Sequence, residues 1–296
     1  MEDTMAATRS RLSVMEVFGL DPLGVRAREA MLALRGDASV PPTKFGLSSL
    51  GILHPRLSVK TWLGRRRDDR RIPISNLFNH TQTPLLDGWS VRKTQVKDFR
   101  GKELTYDSHN GTDFAVPVGT VVVAPAPGRV LRVSSEWNRG GLKVFVDHGR
   151  GLVTTSNHLA RAHVSVGDVV KRGEPIALSG YSGIDALVAF PWSVPHVHFN
   201  VWLDGVNVDP FSRGEDTSLW LHGNDPRPAD GTENDAPFVS DMSAAAMDDL
   251  FLRNYYPTRF PPRENRPLPE REARLTLPFR ALDFDGVTFA DDVSGR

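Results

Sequence analysis

The sequence predicts a mainly β protein, an antiparallel β-sheet or sandwich domain with a helical N-terminal flank and an irregular C-terminal extension. Two observations carry that class. From residue 86 to 211, short Val-rich runs alternate with Gly and Pro turns, the rhythm of successive hairpins. On either side the rhythm is missing: apolar residues near the N-terminus recur at helical steps, and the chain after Phe211 is rich in Gly, Asp and Pro. The expected boundaries are 1–83 for the flank, 84–212 for the β domain and 213–296 for an extension that packs on it.

The elements follow in order. Leu12, Met15, Phe18 and Leu20 predict a first helix. Asp21-Pro22 reads as an N-cap followed by Pro at the first position of a second helix over 23–34, closed by Gly36. Residues 37–85 show little periodicity and are expected to be irregular with short elements. The mixed-charge run Arg65-Arg66-Arg67-Asp68-Asp69-Arg70-Arg71 reads as a solvated loop whose charges partly cancel, in preference to a docking patch for an anionic polymer. Strands are predicted at 121–123, 130–133, 143–146 and 151–154, with turns at Gly128, Gly140-Gly141, Gly149-Arg150-Gly151 and Gly167-Asp168. Further on come a short helix over 241–252, a Pro-rich segment over 257–269 without regular structure, and an apolar stretch over 275–289 with room for a strand or two.

Composition excludes several classes of function. The 40% hydrophobic and 24% charged residues are ordinary for a globular chain with an ample core. A formal net charge of zero supplies no field toward nucleic acid or an anionic membrane. With no cysteine, disulfides, thiolate metal sites and cysteine nucleophiles are ruled out. No apolar run approaches the roughly 20 residues of a membrane span. Glu16 interrupts the apolar start of the chain, so no secretory signal is read and the chain as it stands is expected in the cytoplasm.

The residues that carry chemistry begin with Pro195-His196-Val197-His198-Phe199. In a strand, residues i and i+2 face the same way, so both imidazoles would project into one cleft. Upstream, His109-Asn110-Gly111-Thr112-Asp113 offers a nitrogen and an oxygen donor around a Gly turn, and His158 ends a strand candidate. Imidazole nitrogen with carboxylate oxygen suits zinc, whose catalytic sites use three protein ligands and keep one position open.

Residues 106–211 resemble the LytM/lysostaphin-type zinc metalloendopeptidases, which cut peptide cross-links of bacterial cell walls. The motifs run collinearly: His109-x-x-x-Asp113; Gly119-Thr120-Val121 with Ala124-Pro125 and Gly128-Arg129-Val130; Asp147-His148-Gly149; His158-Leu159; Val166-Gly167-Asp168 with Gly173; Gly180-Tyr181-Ser182-Gly183; and His196-Val197-His198-Phe199. The resemblance implies a fold related to the barrel-sandwich hybrid. It implies zinc held by His109, Asp113 and His198, with His158 and His196 as a catalytic pair beside it. The implied reaction is hydrolysis of a peptide bond in peptidoglycan stems or cross-links by zinc-activated water. It also implies a place in the cell envelope, periplasm or outside the cell.

Three departures bear on specificity: Ser156 where the family often has Tyr, Asn200 where it often has Glu, and a long apolar insert over 184–194. His54, His80, His163 and His222 have no assigned partner, and His148 reads as structural. A lipoyl or biotin carrier is excluded because all six methionines lie outside the β region. The remaining alternative is a non-catalytic LytM-like module that binds and regulates a cell-wall hydrolase. The flanks are expected either to cover sheet edges or to narrow the groove, with Asn76, Asn79 and His80 as donors near an open coordination position.

Overall fold

The alternation along the strands decides what each face of the sheet does. In the strand His196–Leu203, Val197, Phe199 and Val201 are fully buried in the main apolar core, while His196, His198 and Asn200 occupy the intervening positions. The computed structural model describes residues 11–81, 83, 87–184, 189–240, 242–255 and 270–293.

The strands, in chain order, are β1 Thr43–Lys44, β2 Arg71–Asn76, β3 Trp89–Ser90, β4 Thr112–Ala115, β5 Val121–Val123, β6 Gly128–Glu136, β7 Gly141–Asp147, β8 Leu152–Ala162, β9 Val169–Val170, β10 Pro175–Ser179, β11 His196–Leu203, β12 Val206–Val208 and β13 Gly286–Phe289. Among the described residues eleven of these form one sheet, whose main path runs β13-β2-β4-β11-β8-β7-β6-β9; β12 pairs with β11, and β10 bridges β8 to β5. Pairing is antiparallel throughout except β13 on β2 and the separate pair β1 and β3. The mainly β, largely antiparallel architecture matches the reading of the Val-rich runs. The two parallel pairs depart from it, because each joins segments far apart in sequence.

Both flanks contribute to this sheet and its core. β2 pairs with β4 on one side and with β13 on the other. From the C-terminal segment, Trp220, Leu275, Leu277 and Phe279 are fully buried against the sheet's inner face. Trp220 stacks on Phe199 at 5.7 Å, and Phe279 meets Phe114 edge-on at 5.5 Å. At the far end of the opposite face, Trp202, Phe145 and Val153 are covered by Met247, Leu250 and Phe251 of the helix Ala244–Tyr255. The helix expected over 241–252 is thus present with shifted ends; residue 241 and the Pro-rich segment 257–269 lie outside the described residues.

The N-terminal helices are Val14–Phe18, capped by Ser13 in a capping box with Glu16, and Leu23–Arg35, closed at Gly36. Asp21 does not cap the second helix. Pro22 itself occupies the N-cap, its carbonyl accepting from Val25 and Arg26, while the Asp21 carbonyl is taken by the Arg26 guanidinium. These helices pack Phe18 and Ala30 with Trp62, Trp137 and Tyr181, which ties them to the β6–β7 hairpin. A third helix, Pro55–Trp62, is one of the short elements in the segment read as irregular with short elements, and Pro55 stands at its first turn. In the mixed-charge run, Arg66, Arg67, Arg70 and Arg71 pair with Asp283, Asp69, Asp285 and Asp225, which leaves no uncompensated basic patch at those four positions. No helix among the described residues is long and apolar enough to cross a membrane.

Candidate metal centre and its groove

Two neighbouring strands and a loop bring the donors together. Asp113 on β4 is the register partner of His198 on β11, and His198 is in turn the partner of Asn157 on β8. His109 reaches the same point from the loop before β4. That loop must pass close under β11. A Cβ added at Gly111 would lie 2.6 Å from the Phe199 carbonyl oxygen and 2.7 Å from His198 Nε2, so only glycine fits between the two donors.

The donor atoms converge. His198 Nδ1 is 2.7 Å from Asp113 Oδ1, His109 Nε2 is 3.1 Å from the same oxygen, and the two nitrogens are 3.2 Å apart. All three residues are buried, and their ligand atoms make a group that could hold a metal ion. His109 Nδ1 donates to the Leu77 carbonyl at 2.6 Å, which leaves Nε2 with its lone pair toward Asp113. On the other ring, His198 Nε2 lies 3.2 Å from Asn110 Oδ1 and 3.0 Å from Asn200 Nδ2, and it is Nδ1 that faces Asp113. The second oxygen of Asp113 accepts from Asn76 Nδ2 at 3.0 Å, so Oδ1 remains for the centre.

The electrostatics agree with a cation site. Burial alone would raise the Asp113 carboxyl, but the electrostatic pull of the neighbouring His109 and His196 rings and the close contacts with His109 and His198 outweigh it and hold it well below the usual range. Burial pushes His198 below the ordinary imidazole value, against the pull of Asp113. A carboxylate and two imidazoles stripped of water are costly unless a cation completes them. Tetrahedral zinc at about 2.0 Å from its ligands sets them roughly 3.3 Å apart, and the donor spacings fit that ion.

His158 and His196 stand beside the donors and not among them. Their ring centroids are 4.7 Å apart, and His196 Nε2 is 3.6 Å from Asp113 Oδ1. Each ring is aimed by its Nδ1, which donates to the Ser182 carbonyl in His158 and the Val194 carbonyl in His196, both at 2.7 Å. His158 has a left-handed backbone, φ 59°, where the β7–β8 register slips between Leu142 and Val144. Such a bulge turns a side chain out of the strand alternation, at a cost of roughly 1–3 kcal/mol for a non-glycine residue.

All five predicted residues therefore surround one point. The groove over it, about 160 Å³, is walled on one side by Thr43, Phe45, Ile52, Leu53 and Trp89 of the N-terminal segment. Among the described residues none from 213–296 lines it. Ile184, Ala189, Ser193 and Val194 of the apolar insert form another wall, while residues 185–188 lie outside the described ones. Of the candidate donors in the flank, only Asn76 approaches the centre. Asn79 is spent on Thr81, Gln95 and Asp107 carbonyls, and His80 pairs with Asp209 at 2.8 Å. His148 is buried between the Pro127 carbonyl and the Thr154 hydroxyl. Sequence reasoning missed the roles of Asn110 and Asn157 and saw Asn200 only as a departure. Asn200 links them: its Nδ2 donates to the Asn110 carbonyl, and its Oδ1 accepts from Thr155 and Asn157.

Comparison with known proteins agrees with this geometry. The sequence pattern of peptidase family M23 matches residues 107–210. An uncharacterized metalloprotease of Haemophilus influenzae is 39% identical over 104 residues, 35% of this chain and 20% of that protein. The peptidoglycan DD-endopeptidase ShyB of Vibrio cholerae is 37% identical over 101 residues, 34% of this chain and 22% of that protein. The murein hydrolase activator EnvC of Escherichia coli is 39% identical over 124 residues, 41% of this chain and 27% of that protein. The matches thus span about a quarter or less of these relatives' own length.

Proposed function

We propose, from the premise that residues 107–210 form a LytM-type domain of peptidase family M23, that this chain is a zinc-dependent endopeptidase acting on stem or cross-link peptides of peptidoglycan in the cell envelope. The carrying observation is the buried group His109, Asp113 and His198 with two further imidazoles at its edge. Those three residues would hold the ion, which when bound supplies Lewis acidity that makes water nucleophilic at neutral pH and polarises a carbonyl.

The chain's own groups do the rest. His158, with Nδ1 committed to the Ser182 carbonyl, uses Nε2 to take the proton of an attacking water as general base. Protonated in that step, it can return the proton to the leaving amine. His196 is held the same way by Val194, and with both ring nitrogens protonated it donates from Nε2 to the oxyanion that forms on the scissile carbonyl. The walls from Thr43, Phe45, Ile52 and Leu53 and from Ile184, Ala189, Ser193 and Val194 hold the peptide extended across these groups and exclude bulk water.

The relative named as a murein hydrolase activator keeps a second reading in play, a non-catalytic module that regulates another hydrolase. The filled donor positions favour the enzyme. Metal analysis and digestion separate the two. Zinc-loaded full chain incubated with purified sacculi is expected to release cleaved peptides detectable by mass analysis, and His109→Ala chain to release none. One tightly held equivalent of zinc with intact sacculi would overturn the proposal.

A further inference from the structure

The tip of the β6–β7 hairpin is built into the groove with unusual firmness. Lys143, fully buried, joins Glu136 at 2.9 Å and the Arg139 carbonyl at 2.6 Å. The Trp137 indole donates to the Phe18 carbonyl, and the Gly140 carbonyl accepts from the His158 backbone at 2.8 Å. The segment so anchored presents Asn138, which is 1% exposed. Both amide atoms of Asn138 are buried without a hydrogen-bond partner among the described residues. Asn157, also buried and lining the same groove, has an unpartnered Oδ1. Its orientation is fixed because Nδ2 donates to Asn200 Oδ1. Both asparagines line the groove together with His158.

Buried amides are ordinarily satisfied, and those left open in a native chain call for a reason. Here the open set is two acceptors and a donor, all neutral, in the groove that the proposed reacting groups line. A carboxylate could use only the donor, and an ammonium only the acceptors. A peptide uses all three: one extended residue offers an N–H and a C=O on the same side, matching the Asn138 amide, and a neighbouring N–H reaches Asn157 Oδ1. We infer that Asn138 and Asn157 form a subsite for the substrate's main chain, recognising peptide groups flanking the scissile bond independently of their side chains. The inference rests on the peptidase reading for its substrate class. A side-chain carboxamide carries the same chemistry and is the rival source.

Binding to metal-free full chain tests this without hydrolysis. The probe is penta-alanine blocked as the acetyl and methylamide, with a series in which one alanine at a time is replaced by lactate, so that an ester oxygen stands in place of one N–H. Calorimetric titration of the wild-type chain is expected to show one or two positions where the ester weakens binding about tenfold. In Asn138→Leu chain at least one of those penalties is expected to fall below about twofold. Because the Asn138 side chain makes no hydrogen bond among the described residues, that variant is expected to melt no lower than wild type; Asn138→Ala serves if the leucine chain does not fold. Equal ester penalties in both chains, no penalty at any position, no binding to wild type, or binding only when glutamine replaces an alanine would each overturn the inference. Failure of the zinc-loaded chain on sacculi would count against the enzyme reading alone, since the titration uses no metal.

Discussion

His148 offers a test of the fold through pH. It lies in the β7–β8 turn with both ring nitrogens engaged: Nδ1 donates to the Pro127 carbonyl at 2.9 Å, and Nε2 accepts from the Thr154 hydroxyl at 2.9 Å. Both bonds need the neutral ring. Burial, helped by Arg274 and Arg172 and opposed by the Pro127 hydrogen bond, pushes its pKa from 6.5 down to about 4. The folded value lies below the unfolded one, so between the two the unfolded chain binds more protons. The contribution is complete above about 6.5 and is lost as pH falls toward 4. A gap of roughly 2.5, at about 1.4 kcal/mol for each tenfold change, makes it about 3 kcal/mol.

The assay is urea unfolding of metal-free protein from pH 7 to pH 4, wild type against His148→Gln, whose amide titrates nowhere in that range. Every other ionisable group is common to both chains and cancels in the difference. Wild type is expected to lose about 3 kcal/mol more than the glutamine chain across the window, with the difference flat above neutrality. Parallel curves, or a His148 ring resonance titrating near 6.5, would refute the reasoning.

Three further outcomes follow from distances. Asn76→Ala removes the donor 3.0 Å from Asp113 Oδ2 and is expected to weaken zinc binding by about 10–100-fold in a chelator competition, with the fold intact. Gly111→Ala places a methyl 2.6 Å from a backbone oxygen that cannot withdraw; about 1–3 kcal/mol of stability should be lost on urea titration, and zinc uptake with it. Phe199→Ala empties a fully buried site between Phe114 and Trp220, and about 3–5 kcal/mol is expected from the shift in urea midpoint.

What the sequence determined by itself was the set of local patterns. Period-2 alternation placed His196 and His198 on the face opposite Val197 and Phe199, because pleating leaves no other arrangement. Val-rich runs and Gly turns foretold β5 to β8 because branched side chains and left-handed turns act within a few residues. The motif resemblance named five residues that do surround one point, although their division into ligands and catalytic groups came from the family and not from spacing.

Tertiary structure decided what depends on distant partners. Nothing local marks β2 and β13 as sheet neighbours, since their pairing joins Arg71 to Gly286 across most of the chain. That Nδ1 of His198 and Nε2 of His109 are the atoms facing Asp113 follows from how each ring is aimed by groups on other strands and loops. The left-handed turn at His158 arises from a register slip between β7 and β8, visible only once both strands are laid side by side. Asn138 is an ordinary turn residue in the sequence. It becomes an unmet buried amide only because two helices and Lys143 pin its hairpin into the groove, and burial by remote elements is the one property a local pattern cannot encode.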